Sequence, residues 1–323
     1  MTRVSVIVPA FNAGQTLEPC LAALCAQSFP QQGYEIIVVD DGSRDNTAAI
    51  VERFPAVRLI RGNHRGAAAA RNRGVREARG ELLLFTDADC EPISQWIETL
   101  CAAFADPRVV GAKGTYRTRQ RSLVARFVQL EYEEKYARMR RAKTIDFIDT
   151  YSAAYRRDVF LANNGFDESF PTASAEDQEF SFRLAEQGHV MVFIPNAVVY
   201  HRHVATLAAY ARRKFRFGYW RVSVYRRHPG KMMRDTHTPP TLKIQMGLFL
   251  VIAVTALAAL FAPAVWLLVG ALGAAFALSA IPLIVFIARR DAPIALIAPL
   301  LILLRAAALG AGWVAGSLLW FRK

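Results

Sequence analysis

Cysteine is scarce and unpatterned in this 323-residue chain. The four residues Cys20, Cys25, Cys90 and Cys101 form no C-x-x-C and have no histidine at a zinc-binding spacing. That excludes a disulfide-built scaffold and a small zinc module, and it fits reduced, buried thiols in a cytosolic compartment. Acid is also short: 27 Asp and Glu face 40 Lys and Arg, a net charge of +13. Such a balance asks for an anionic partner, whether nucleic acid, anionic lipid or a phosphorylated substrate. Nor is a leader expected from the first residues. Residues 1–9 carry one charge and an apolar run too short for a signal-peptide core, interrupted by Pro9 and then Asn12, so they read as a strand.

Charge of either sign disappears from Met246 to Ala288, a run of 43 residues. That length holds two membrane-spanning helices of about 20 residues each. We place apolar helices near 246–261, 264–288 and 293–321, the first starting nearer Leu242, with a tight turn at Pro263. Basic stretches flank them. Residues 117–143 hold nine Lys or Arg against Glu131, Glu133 and Glu134, on an amphipathic helix that reads as a solvated face or a membrane-surface element. Between Arg202 and Lys243 eleven Lys or Arg oppose only Asp235, mixed with Tyr210, Phe215, Phe217, Tyr219, Trp220 and Tyr225. Alone, that mixture suits single-stranded nucleic acid. Directly before an apolar segment, it reads as a juxtamembrane belt. Positive-inside bias from Lys231, Arg234, Lys243, Arg289 and Arg290 then puts the large amino-terminal part in the cytoplasm, with three crossings leaving Arg322 and Lys323 in mild conflict. A third segment that re-enters would remove that conflict. Arg305, deep in the last apolar stretch, calls for a partner such as a lipid phosphate, or snorkels or packs between helices.

The first half alternates between β-branched runs and helical spacing, which predicts a mostly parallel sheet covered by helices. Ligands of such sheets bind beyond the carboxyl ends of strands. Three strand ends carry Pro9, the pair Asp40–Asp41, and Asp87-Ala88-Asp89. If strand geometry persists, Asp87 and Asp89 leave the sheet on one side. Two acids there suit a divalent cation that takes its other ligands from phosphate and water, or they are a polar loop. Further on, Ser174-Ala175-Glu176-Asp177 opens a helix. Asp177 is then either the acid of a capping box or a functional carboxylate.

Together these residues resemble family 2 glycosyltransferases of the GT-A fold, in their membrane-anchored bacterial form. The likeness runs in order through Val4 to Asn12, Val38-Val39-Asp40-Asp41-Gly42-Ser43, Gly66 with Ala70-Arg71-Asn72-Arg73-Gly74, Thr86-Asp87-Ala88-Asp89, Gly165-Phe166-Asp167-Glu168 and Glu176-Asp177. The resemblance implies a GT-A Rossmann-like α/β domain over 1–203, a basic interfacial region over 204–243 and a transmembrane region of about three helices over 244–321. It implies a nucleotide-binding wall at Pro9, Asp40 and Asp41, with Arg71 and Asp87 helping to seat the nucleotide. Mg²⁺ or Mn²⁺ would be held by Asp87, Asp89 and His201, with His203 competing for the last role. Asp177 would be the catalytic base, and Gly165, Phe166, Asp167 and Glu176 would face the acceptor. The implied reaction is inverting transfer from a UDP-, GDP- or dTDP-sugar to a hydroxyl of a lipid-linked or glycan acceptor. Its implied place is the cytoplasmic face of the inner membrane, in cell-envelope polysaccharide assembly. No Gln-x-x-Arg-Trp follows Asp177, so single transfer is expected over polymerisation. A polyprenyl-phosphate acceptor is the alternative. A basic nucleic-acid- or lipid-binding protein without catalysis leaves the acid-tipped strands unexplained, so no nucleic acid is expected as partner.

Overall fold

The computed structural model describes residues 3–170 and 175–320. Ser174, Phe321, Arg322 and Lys323, on which some of the expectations above fall, lie outside the described residues. The chain divides into two compact units. One comprises Met1–Arg119 with Arg138–Arg202, the other Gln120–Ala137 with His203–Lys323.

The first unit is built on eight strands: β1 (Val4–Ala10), β2 (Tyr34–Asp40), β3 (Val57–Arg61), β4 (Leu82–Phe85), β5 (Cys90–Pro92), β6 (Val109–Arg117), β7 (Ala153–Arg156) and β8 (Val190–His201). They form one sheet in the order β3-β2-β1-β4-β7-β6-β8-β5. The first four in that order are parallel, with Ile7 of β1 between Ile37 and Phe85. Helices Leu17–Cys25, Thr47–Glu52 and Ala67–Glu77 return the chain between them. Strands covered on both faces need apolar side chains on both. Val4, Val6, Ile7, Val8, Leu83, Leu84 and Phe85 are accordingly fully buried. This is the mixed GT-A-like sheet that the alternation and the resemblance predict.

The antiparallel half was less visible. Residues 190–195 and 197–200 are not two strands but one, β8, with an irregular register against β6 around Lys113 and Thr115. The irregularity is where a Cβ on Gly114 would stand 2.1 Å from the Ala197 carbonyl oxygen. Strand β7 pairs antiparallel with both β4 and β6, a strand that the sequence pattern does not mark. The four cysteines are all free.

The second unit is helical: most of Leu123–Met139, then Leu207–Arg227, Pro240–Ala259, Val265–Ala288 and Ala292–Trp320. The last three are long and apolar enough to cross a membrane, with mean hydropathies of 2.0, 2.4 and 2.3. The first of them begins at Pro240, close to the start expected near Leu242. Lys243 is neutralised there by Asp235 at 2.7 Å, so a charged first turn can be helical. Arg305 finds its partner inside the protein rather than in a lipid phosphate. It donates to Glu131 Oε1 (2.9 Å) and Gln245 Oε1 (2.8 Å), and Lys214 meets the same carboxylate at 2.9 Å. That long-range cluster is why residues 120–137, within the span expected for the catalytic domain, pack with the carboxy-terminal helices.

Candidate active site

At the end of β2, Asp40 and Asp41 are buried and organise two loops. Asp40 Oδ1 accepts the Ser43 N–H (2.9 Å), and Asp41 accepts the N–H groups of Arg65 and Gly66 (2.8 Å each). Gly42 (φ +79°) and Gly66 (φ +96°) supply left-handed turns that a side chain resists. Gly66 then caps the helix Ala67–Glu77. Pro9 lies in β1 opposite Val39 of β2. Beyond β1, Phe11 stacks on His64 with ring centroids 4.1 Å apart and stays 45% exposed, a flat aromatic face beside Asp41. Sequence reasoning did not single out Phe11; its place after the Pro9 strand end was the available signal.

The helix Ala67–Glu77 carries Arg71, only 3% exposed. Nη2 donates to Asp87 Oδ1 (2.8 Å) and Nη1 to Glu176 Oε1 (2.7 Å). Burial disfavours its charge, but the two carboxylates raise the guanidinium above its usual range. Arg71 thus ties the end of β4 to the first turn of the helix Glu176–Glu186, which holds Asp177. Next to it, Asn72 bonds the backbone of Phe166 on both sides (2.7 and 3.0 Å), fixing the turn at Gly165 (φ +61°). Glu168 is held by Arg65 at 3.1 Å. Asp167 joins Gly165, Phe166 and Glu168 in lining a cavity of about 560 Å³.

Asp87 and Asp89 do not leave the sheet as one pair. Strand geometry stops at Phe85 and a turn follows, so Asp87 points to Arg71 while Asp89 Oδ1 lies 3.3 Å from His201 Nδ1. Burial opposes ionisation of Asp89, yet its hydrogen bond to His201 holds the carboxyl below its usual value. Cys90 Sγ is 3.7 Å from Asp89 Oδ1 and 3.9 Å from His201 Nδ1. Asp89, Cys90 and His201 form a group close enough to hold one metal ion. Burial pushes the Cys90 thiol well up, which leaves a carboxylate oxygen and an imidazole nitrogen as the donors. That donor set fits a divalent cation such as Mn²⁺. His201 is oriented by the Tyr116 ring stacked on it at 4.5 Å, with Tyr151 stacked behind at 3.3 Å. His203 bonds Gln129 instead (3.0 Å) within the second unit.

Asp177 lies in the first turn of the helix Glu176–Glu186. The helix is preceded by Ala175, whose N–H bonds Glu176. Asp177 accepts the N–H of Gln178 at 2.8 Å and that of Thr150 at 3.4 Å. Burial, then the nearby carboxylates of Glu176 and Asp149, push it well above the usual carboxylate range. Asp149 is itself paired with the fully buried Lys113, a pair that sequence spacing gave no way to join.

Residues 5–162 match the family described as glycosyl transferase family 2. Glycosyltransferase AglE of Haloferax volcanii is 28% identical over 69% of this chain and 74% of its own length. An N-acetylglucosaminyltransferase of Azorhizobium caulinodans is 30% identical over 69% of this chain and 60% of its own. Among solved structures, the mannosyltransferase PcManGT from Pyrobaculum calidifontis, in complex with GDP-Man and Mn²⁺, superposes with a TM-score of 0.63. It is 26% identical, over 99% of this chain and 88% of that one.

Proposed function

The chain belongs to glycosyl transferase family 2 and acts on nucleotide-sugars; from that premise we propose that it transfers a single sugar, with inversion, to a hydroxyl of a lipid-linked or other membrane-associated acceptor at the cytoplasmic face. The observation that carries the reading is the Arg71 bridge. It holds Asp87, at the strand end beside Asp89, and Glu176, adjacent to Asp177, in one ion-paired frame. In this reading a single side chain supports both the donor end and the base.

In this reading Phe11 offers the nucleotide base a stacking face, while Asp40 and Asp41 hold the loops around it. Asp89 and His201 would hold Mn²⁺ or Mg²⁺, with Asp87 beside them. The bound cation supplies charge neutralisation on the departing nucleoside diphosphate. Asp177 takes the proton of the acceptor hydroxyl as it attacks the anomeric carbon from the face opposite the leaving group. A carboxyl raised from its ordinary range is a better-matched base for that proton than an exposed one. A phosphate acceptor would need no base, so the elevated Asp177 favours a hydroxyl. Gly165, Phe166 and Asp167 would lie toward the acceptor, on a turn rigidified by Asn72. The uncharged 246–288 stretch, with basic residues before and after it, supports a membrane seat with the amino-terminal unit on the cytoplasmic side.

The test is transfer by the full chain from UDP-, GDP- and dTDP-sugars, with Mg²⁺ or Mn²⁺ and a membrane lipid extract. The relative's ligand makes GDP-mannose the first donor to try. Metal-dependent transfer with inverted product is expected, and no transfer or hydrolysis from any donor overturns the reading. Retention of activity within a few-fold in Asp177→Ala would move the acceptor to a polyprenyl phosphate.

A further inference from the structure

The helix Ala292–Trp320 is apolar along its length, yet its two faces have opposite surroundings. Leu296, Leu300, Leu303, Val314 and Leu318 are 41–84% exposed. At 3.6 residues per turn they fall within about 60° of arc. The other face, through Ile294, Ala298, Leu301, Ile302, Arg305, Ala306 and Leu309, is 0–4% exposed. Besides Gln245 of the apolar helix Pro240–Ala259, which bonds Arg305 at 2.8 Å, two charged helices cover it. Arg126 of Leu123–Met139 grips Asp291 through two bonds of 2.6 and 2.9 Å. Glu131 of the same helix reaches Arg305, fourteen residues further on, together with Lys214 of Leu207–Arg227.

The helix Leu207–Arg227, with seven Lys or Arg, then crosses near the carboxyl end. A Cβ on Gly312 would stand 2.1 Å from the Phe215 carbonyl oxygen, and one on Gly316 2.6 Å from that of Tyr219. The backbones therefore touch, and Tyr225 packs on Trp313 at 5.9 Å. Were Ala292–Trp320 to cross a bilayer from Asp291, Arg305 with Glu131 and Lys214 would lie about 21 Å down a core about 30 Å thick, and the arginine-rich helix about 30 Å down. At the first of these depths, well inside the core, charged helices are not tolerable against lipid.

We infer that Ala292–Trp320 does not cross the membrane but lies in the plane of one leaflet. Its Leu296–Leu318 stripe sits in the acyl boundary, and its other face is roofed by the two basic helices. Only the hairpin Pro240–Ala288 inserts. Both of its helices expose apolar side chains widely, including Phe261 (90%) beside the turn and Leu267 (82%). The arginines exposed on Leu207–Arg227, Arg212, Arg216, Arg226 and Arg227, then face headgroups of an anionic leaflet. The inference is independent of the transfer chemistry, and it removes the charge conflict that three crossings create.

Topology reporters on the full chain decide it. Alkaline phosphatase fused after Lys323 is expected to be inactive, and green fluorescent protein there fluorescent; phosphatase inserted at Pro263 is expected to be active. Phosphatase activity after Lys323 overturns the inference. Spin labels at Leu300→Cys and Leu318→Cys, in a Cys25→Ser background with vesicles containing one-third phosphatidylglycerol, give a second readout. Equal shallow depths are expected, and depths differing by the helix rise of about 27 Å overturn it.

Discussion

Each unit buries one arginine almost completely, and the two sites use that charge to opposite ends. Arg305 is 4% exposed and sits with Lys214 around a single carboxylate, Glu131. The two cations pull Glu131 down to about 2 although burial alone would raise it. Lys214 shares its anion with a competing guanidinium, and burial takes its ammonium down to about 8. That cluster is closed to solvent, although Arg305 Nε and Glu131 Oε2 make no hydrogen bond. Arg71, 3% exposed, is outnumbered: Asp87 and Glu176 grip it, Asp177 stands nearby, and the Asp89 side chain next along is 40% exposed. The first cluster holds helices together. The second leaves negative charge at an open edge, which is what a site awaiting a cation and a phosphorylated donor requires.

The sharpest way to break the contrast is Asp177→Asn. Loss of a general base lowers kcat by about 10²- to 10⁴-fold, with donor binding retained in calorimetric titration. Stability should move the other way. Because the folded carboxyl is raised above its usual 3.8, it favours the fold while protonated and costs stability as it ionises with rising pH. The melting temperature of Asp177→Asn should therefore exceed that of the wild type near neutrality, and the gap should close toward pH 4. A lower melting temperature at every pH would make Asp177 a structural cap.

Arg71→Met tests the frame next. It leaves Asp87 and Glu176 buried without their cation, a cost of about 3–5 kcal/mol, read by chemical denaturation of the detergent-solubilised protein. Arg71→Lys should recover part of the stability but little of the turnover, because one ammonium cannot reproduce a two-nitrogen bridge. If both variants keep wild-type kcat, the bridge positions nothing that the reaction uses.

The parallel half of the fold was legible because buried strands must read as apolar runs: Val4 to Val8, Ile36 to Val39 and Leu82 to Phe85 do so without ambiguity. Acids at their ends marked the place of the candidate site. The antiparallel half was not, since Ala153 to Arg156 is too short and too mixed to stand out, and its pairing with β4 and β6 is a property of distant chain segments. The same holds for side-chain partners. Asp87 and Asp89 look like one pair in sequence, but the turn after Phe85 sends them to Arg71 and His201, more than a hundred residues apart. Arg305 was marked by its cost in an apolar stretch, while Glu131, 174 residues earlier, carried no mark as its partner.

The smallest expected effects on turnover come from the closed cluster, and they define what closed means. Glu131→Gln leaves Arg305 and Lys214 buried against each other and should cost about 3–5 kcal/mol. Replacing all three, as Glu131→Leu with Lys214→Met and Arg305→Met, removes the charges together and should come out near neutral in stability and in activity. The acid response separates the wild type from both variants. Because the folded carboxyl is depressed from 4.5 to about 2, its stabilisation is complete above the ordinary value. It is lost as pH falls toward 2, on the order of 3 kcal/mol at the limit. Melting temperatures of the detergent-solubilised chain between pH 5 and pH 2 should show that component in the wild type and not in the triple variant. Because the triple variant changes nothing around Arg71, an activity loss at full stability would mean that the helices held by Glu131 also tune the reaction, and the separation between a structural and a chemical arginine would fail.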